Sequence, residues 1–276
     1  MKRIGFSRFN TLKLAICLAF LSACSSVNTT DSGAVGIERK QLMSPLVSEK
    51  QMDATALQAY RDILAKEAKQ GDLNSDPVLT RRVRAVAARL IPHTAVFRKD
   101  APSWQWEINV IKSDELNAWC MPGGKIAFYS GIIQKLNLTD DEIAAVMGHE
   151  ISHALREHSR ERASEQMTAG LGLNILAAVT GVGQGGADLM GALYNVTFSL
   201  PNSRTHETEA DRMGVELAAR AGYNPHAAVT VWEKMGKFSQ GQPPQFLSTH
   251  PSHETRIADL TEYARKVQPL YEQVRR

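Results

Sequence analysis

Residues 147–158 read "MGHEISHALREH" (Met147–His158), with His149 and His153 four apart and Glu150 directly after the first. On a helix, residues four apart lie one turn of about 5.4 Å from one another on the same face. Two imidazoles so spaced can converge on one ion. Glu150, about a quarter-turn round, can reach a water on that ion without binding it. Met147, Ile151, Ala154 and Leu155 form an apolar face on the far side, so the helix is expected to be buried, its histidines turned to a cleft. Burial imposes a desolvation cost on two histidines that a metal relieves. The alternative is a solvated helix face that carries two histidines for no chemical reason, and this stretch alone does not decide.

Outward from the motif, "TDDE" at Thr139–Glu142 is a capping box. It predicts a helix that begins there and runs to about Arg162. Upstream, "NAWCMPGGKIAFYSG" (Asn117–Gly131) reads as two short strands around a Pro-Gly-Gly turn, and "WQWEINVIKS" alternates Trp104, Trp106, Ile108 and Val110 against polar neighbours. Two helices precede these strands. The first is "DATALQAYRDILAKEAKQ"; the second carries Leu79, Val83, Val86 and Leu90 on one face and ends at Pro92. Downstream, "SRTHETEADRMGVELAARAGY" is a helix closed by Gly222, and "NPHAAVTVWEKMGK" opens another with Asn224 as cap and Pro225 at its first position. A last helix follows "STHPSHETRIADL". The fold class expected is α+β, mostly α, with a small sheet beside the motif helix. The stretch 168–193, rich in Gly, Ala and Leu, reads as a small-residue helix or loop packed near the site.

A catalytic zinc takes three protein ligands and leaves one position for water, so a third ligand is required. "HETEAD" offers Glu207 and Asp211, four apart on one helical face, with Gly214 and Ala210 beside them. Small residues there let this helix approach the first closely enough for Glu207 to reach the ion. Asp211 is then expected to accept a hydrogen bond from a ligand imidazole. Glu209 points to the other side and reads as a structural or surface carboxylate. His93, His158, His206, His226 and His253 have no evident partners and read as surface or packing residues.

His149-Glu150-x-x-His153 followed by Glu207-x-x-Ala210-Asp211 resembles the HtpX-like and Oma-like zinc metallopeptidase family, which also includes the CAAX-prenyl proteases. The segments "NAWCMPGGKIAFYSG", Ser203-Arg204 and "STHPS" (Ser248–Ser252) agree in order, so the resemblance covers roughly residues 75–262. It implies a zincin-like domain with one Zn2+ per chain, held by His149, His153 and Glu207, and Glu150 as the base. It further implies that the strand at Asn117 and Ala118 borders the cleft and takes up substrate as an added strand, although Asn117 equally reads as a strand-end residue. His250 in "HPS" is implied to lie near the metal as a fourth ligand or transition-state contact; the other reading is a cap for a helix starting near Pro251. Arg204 is open between an oxyanion contact and a carboxylate partner. The relatives implied are exported, lipid-anchored bacterial members without transmembrane helices.

The N-terminus fits that implication. Lys2, Arg3, Arg8 and Lys13 precede an apolar run, Leu14–Leu21, too short to span a bilayer. Leu21-Ser22-Ala23-Cys24 resembles a bacterial lipobox, which implies cleavage before Cys24, lipidation there and, with Ser25 following, sorting to the outer membrane. The organisation expected is a signal peptide over 1–23, a flexible tether over 24–48 from lipidated Cys24, and a metallopeptidase domain over 49–276. Cys120 would then be the one remaining thiol. A net charge of +3 is too small to argue for nucleic acid. The function expected is a zinc endopeptidase on the periplasmic face of the outer membrane. Its substrates would be misfolded or unassembled envelope proteins, with the outer-membrane assembly machinery as a possible partner. The alternatives are an assembly factor or chaperone lipoprotein with a structural or regulatory zinc site, and a zinc hydrolase of peptidoglycan.

Overall fold

The computed structural model describes residues 25–45, 47–166, 202–238, 245–251 and 255–275. The expected signal peptide, Cys24, the 168–193 segment and His253 lie outside them.

Local sequence sets the helix starts. In α1 (Glu49–Gln70), Ser48 and Gln51 form a reciprocal capping box. In α2 (Pro77–Leu90), Asp76 accepts from the Val78 and Leu79 N–H groups and Pro77 takes the first turn, where no intrahelical donor is needed. The buried stripe of α2 is Leu79, Val83, Val86, Ala87 and Leu90. Strands β3 (Glu107–Ile111), β4 (Ala118–Met121) and β5 (Lys125–Tyr129) form one sheet in the order β3-β5-β4. β3 runs parallel to β5 and β4 antiparallel to it. The β4–β5 turn uses Gly123 and Gly124 at φ 75° and 78°, backbone that a side chain would strain. The sheet order leaves β4 as an edge strand.

A short α3 (Ser130–Lys135) leads to α4 (Asp140–Leu155), where Thr139 and Glu142 make the expected capping box. Every residue of α4 from Glu142 to Leu155 is buried. This helix is the centre of the domain, packed against β4, α2 and the two later helices α6 (Arg204–Arg220) and α7 (Ala227–Phe238). α8 (Gln245–Thr249) and α9 (Arg256–Val274) complete the chain, α9 lying on α6. One apolar core runs through Val83, Leu90, Phe128, Met147, Met213 and Val231.

Three expectations are corrected. The motif helix stops at Leu155 rather than near Arg162; Glu157 sits in the left-handed region at φ 52° and a new helix, α5, covers 158–166. Arg98 and Arg160 donate to the two oxygens of Glu157 at 2.9 and 2.7 Å and hold this break. Nor are residues 25–45 a tether. β1 (Ser25–Val27) pairs antiparallel with β2 (Gln41–Met43), the Asp31 N–H donates to the Phe97 carbonyl at 2.8 Å, and Val35, Ile37 and Met43 are buried. Polar composition hid this because the strap is held by backbone and side-chain hydrogen bonds, which leave no apolar period. α7 also begins two residues later than predicted, at Ala227, although Asn224 still accepts from the His226 N–H.

Candidate metal centre

α4 and α6 cross in contact through glycine. A Cβ built on Gly148 would meet the Gly214 carbonyl oxygen at 2.8 Å, and one on Gly214 would meet the His149 backbone nitrogen at 2.6 Å. Because neither residue has a Cβ, the backbones touch. Two turns before Gly214, Glu207 is therefore delivered to the imidazoles of His149 and His153.

Four side chains converge. His149 Nε2 lies 3.1 Å from His153 Nε2 and 3.1 Å from His250 Nδ1. Glu207 Oε1 is 3.0 Å from His250 Nδ1 and 3.4 Å from His153 Nε2, and Glu207 Oε2 is 3.5 Å from His149 Nε2. All four donor atoms fall within 4.8 Å of one another, and all four residues are buried. A tetrahedral zinc with bonds of about 2.1 Å would separate its donors by about 3.4 Å. Glu207 Oε2, moreover, is wholly buried and accepts no aligned hydrogen bond among the described residues; the Arg256 guanidinium, 2.8 Å away, stands against it as an ion pair, so the case for an ion rests on the donor types and their spacing. The donor set therefore fits a zinc-type ion.

The far side of each imidazole is engaged. His149 Nδ1 lies 2.9 Å from Asp211 Oδ1, which accepts only, so Nδ1 carries the proton and Nε2 keeps its lone pair. Arg256, fully buried, donates to the same Asp211 oxygen at 2.8 Å and sets its Nη1 2.8 Å from Glu207 Oε2, an ion pair without hydrogen-bond alignment. Its guanidinium also lies over the Trp232 ring at 3.4 Å. His153 Nδ1 lies 2.9 Å from His158 Nδ1, and His158 Nε2 lies 3.0 Å from Glu209 Oε2. The Glu209 carboxylate accepts a hydrogen bond from His158 Nε2–H, so His158 Nδ1 accepts from His153 and His153 Nε2 is bare. Both motif histidines thus present lone pairs to one point. On an unbroken helix His158 would stand about 140° round from His153; the break at Arg156-Glu157 brings it back underneath.

Electrostatics agree with that assignment. Burial holds the His153 imidazole well below its usual pKa, hence neutral. Burial alone would raise Glu207, but the charges of His250 and its hydrogen bonds to His153 and His250 draw it well below the carboxylate range. For His250, burial opposes protonation, and the carboxylates of Glu207 and Glu150 outweigh it and raise its pKa. Burial raises Glu150, the group expected to take up a proton.

Glu150 faces the sheet edge. The Cys120 backbone N–H of β4 faces its carboxylate and draws its pKa down, Oε1 is buried with no hydrogen-bond partner among the described residues, and His250 Nε2 lies 3.4 Å from it. The free edge of β4 therefore runs past this carboxylate. Ala118 opens β4, opposite Phe128. Asn117 is turned to its own chain: its side chain accepts from the Ala118 N–H at 2.9 Å and its carbonyl accepts from the Tyr129 N–H at 3.0 Å. That is the strand-end role, one step outside the edge that meets Glu150.

His250 lies at the end of α8, not on a loose loop, with its ring stacked on Phe246 at 4.4 Å and its N–H on the Phe246 carbonyl. It joins the cluster rather than capping a helix, since α9 begins only at Arg256. Arg204 is exposed at the first position of α6. His158, Arg156 and Arg256 were not assigned any part in the site from sequence. The Arg156-Glu157-His158 run was visible, but its role depends on a helix break that no motif signals.

Comparison with known proteins adds the lineage. Residues 77–264 match peptidase family M48. The chain belongs to that family. An M48 domain that is mostly helical with small sheets agrees with the zincin-like fold expected. The chain is 38% identical over 152 residues to the mitochondrial metalloendopeptidase OMA1 of Arabidopsis thaliana (55% of this chain, 30% of the relative). It is 32% identical over 214 residues to the metalloendopeptidase OMA1 of Bos taurus (71% and 40%). It is 30% identical over 208 residues to the beta-barrel assembly-enhancing protease of Escherichia coli (72% and 41%). The matched region thus spans half or less of these relatives' own length. No helix among the described residues is long and apolar enough to cross a membrane.

Proposed function

We propose that this M48 chain is a zinc-dependent endopeptidase of the bacterial cell envelope that cleaves misfolded or unassembled polypeptides. The observation that carries the reading is the convergence of His149, His153, Glu207 and His250 with the unpartnered Glu150 oxygen beside them. His149, His153 and Glu207 would hold a zinc ion, which would supply Lewis acidity at the scissile carbonyl and lower the pKa of an attacking water. Glu150 accepts the proton of that water and passes it to the leaving nitrogen, a task suited to a carboxyl whose pKa burial has raised. The open edge of β4 receives an extended substrate through main-chain hydrogen bonds, which read backbone more than side chains and so suit unfolded chains.

His250 occupies a fourth donor position in this arrangement. Four protein donors with no place for water is the pattern of a structural site, and that observation favours the alternative of an assembly factor or chaperone with a regulatory zinc. Glu150 supports the peptidase reading, because a structural site needs no base. Envelope placement rests on the lipobox at Cys24 and on the similarity to the beta-barrel assembly-enhancing protease, whose name also suggests a role beside β-barrel assembly. The test is cleavage of an unfolded protein such as reduced casein by the purified chain, after chelation and after zinc is restored. Cleavage that is lost and recovered supports the peptidase; zinc binding without cleavage supports the alternative.

A further inference from the structure

The strap over 25–43 lies outside the span that matches the family, yet it supplies the outer end of the hydrogen-bond chain behind His153. Arg39 Nε and Nη2 donate to the two oxygens of Glu209 at 2.8 and 3.0 Å, while Nη1 and Nη2 donate to those of Glu161 at 2.6 and 2.8 Å. One guanidinium thus bridges two carboxylates, each by a two-point contact. Gln41, fully buried, donates to Glu161 Oε2 at 2.8 Å and to the Arg156 carbonyl at 2.6 Å, the point where α4 ends. Arg156 closes the ring by donating to Glu209 and, at 2.7 Å, to the Arg39 carbonyl. His206, next to Glu207 in sequence, stacks on His158 at 4.3 Å with its Nε2 3.2 Å from Glu161.

His158, Glu161 and His206 have donor atoms close enough together for a second ion, but charge and valence argue against one. Arg39 and Arg156 already neutralise Glu161 and Glu209, and both His158 nitrogens are engaged. A dication would face two guanidinium groups with no anion left over. The cluster instead fixes protons.

We infer that the N-terminal strap is part of the metal centre: Arg39 is a positioning residue that, through Glu209 and His158, holds His153 with its proton on Nδ1 and its lone pair on Nε2. A neutral His158 can accept from His153 only if its own proton is kept on Nε2, and that requires the Glu209 carboxylate to stay in place. Arg156 alone bonds Glu209 from one side; Arg39 pins it from the other and ties it to Glu161. Outer hydrogen bonds of this kind orient ligand imidazoles and raise their basicity.

The inference rests on reading His153 as a metal ligand, and the experiment separates the two. Zinc dissociation constants are measured by chelator competition on the full chain for wild type, His153→Ala, Arg39→Gln, Arg39→Lys and Val35→Ala. Arg39→Gln should weaken zinc by about 10- to 100-fold. Arg39→Lys should recover little of this, because an ammonium cannot span two carboxylates. Val35→Ala, which loosens the strap's buried apolar contact without touching the chain of hydrogen bonds, should bind as wild type does. Wild-type affinity in both Arg39 variants, with His153→Ala impaired, would overturn this inference alone. Wild-type affinity in His153→Ala would remove the site reading beneath it. Should the Arg39 variants fail to fold, imidazole 15N spectra of metal-free wild type still decide. His153 protonated on Nδ1 and His158 on Nε2 is the expected pattern, and His153 protonated on Nε2 overturns the inference.

Discussion

Gly148 and Gly214 touch where α4 crosses α6, so closely that a methyl group on Gly214 would stand 2.6 Å from the His149 backbone nitrogen. The partner atoms are backbone and cannot swing aside as a side chain would. Alanine is intrinsically better in a helix than glycine by about 1 kcal/mol, but overpacking costs about 1–3 kcal/mol, and here its relief moves Glu207 away from the histidines. Gly214→Ala should therefore lower stability and weaken zinc binding together, as measured by denaturant unfolding and chelator competition. A more stable variant with unchanged zinc affinity would contradict the close-crossing account.

Arg256 joins Glu207 and Asp211 with no exposure of its own. Removing one partner of a buried charge cluster typically costs about 3–5 kcal/mol. Arg256→Met should cost about this much in the metal-free protein and less with zinc bound, since the ion then compensates Glu207. Chemical unfolding with and without zinc measures both. Asp211→Asn, which keeps the shape but weakens the acceptor for His149 Nδ1, should cost about 10- to 100-fold in zinc affinity or turnover.

Much of this site was legible in the sequence because it sits on two regular helices. The spacing of His149 and His153, the cap at Thr139 and the shared face of Glu207, Asp211 and Gly214 all follow from a period of 3.6 residues. What was not legible depends on departures from that period. His158 reaches His153 only because Glu157 breaks the helix, and Arg39 and Gln41 sit in a polar, aperiodic stretch that reads as a tether. Arg256 arrives from a helix remote in sequence. Its charge carries no hint of where it points.

His250 Nδ1 stands in a donor position, 3.0 Å from Glu207 and 3.1 Å from His149. A fourth protein ligand excludes the nucleophilic water, so His250→Ala should raise basal cleavage of unfolded substrate while leaving thermal stability close to wild type. Lower turnover in the variant would assign His250 to transition-state contact instead.

Asp53 lies beside Glu49 and Glu157, and burial together with these two carboxylates raises its pKa to about 6. The folded state then binds a proton more tightly than the unfolded chain, so the group's contribution falls as pH rises from about 4 through about 6. Asp53→Asn removes that dependence. It should raise the melting temperature relative to wild type at pH 8 and lose the advantage at pH 4. An equal effect at both pH values would show that Asp53 ionises as an ordinary surface carboxylate.

The central claim is that Glu150 moves protons at a site it does not help to build. The direct measurement is zinc content and the rate of unfolded-protein cleavage for wild type beside Glu150→Gln, an isosteric change. The account predicts wild-type zinc content with cleavage reduced by at least about 100-fold, the contribution typical of a positioned proton-transfer group. Glu150→Gln protein that holds zinc and cleaves as fast as wild type would contradict it.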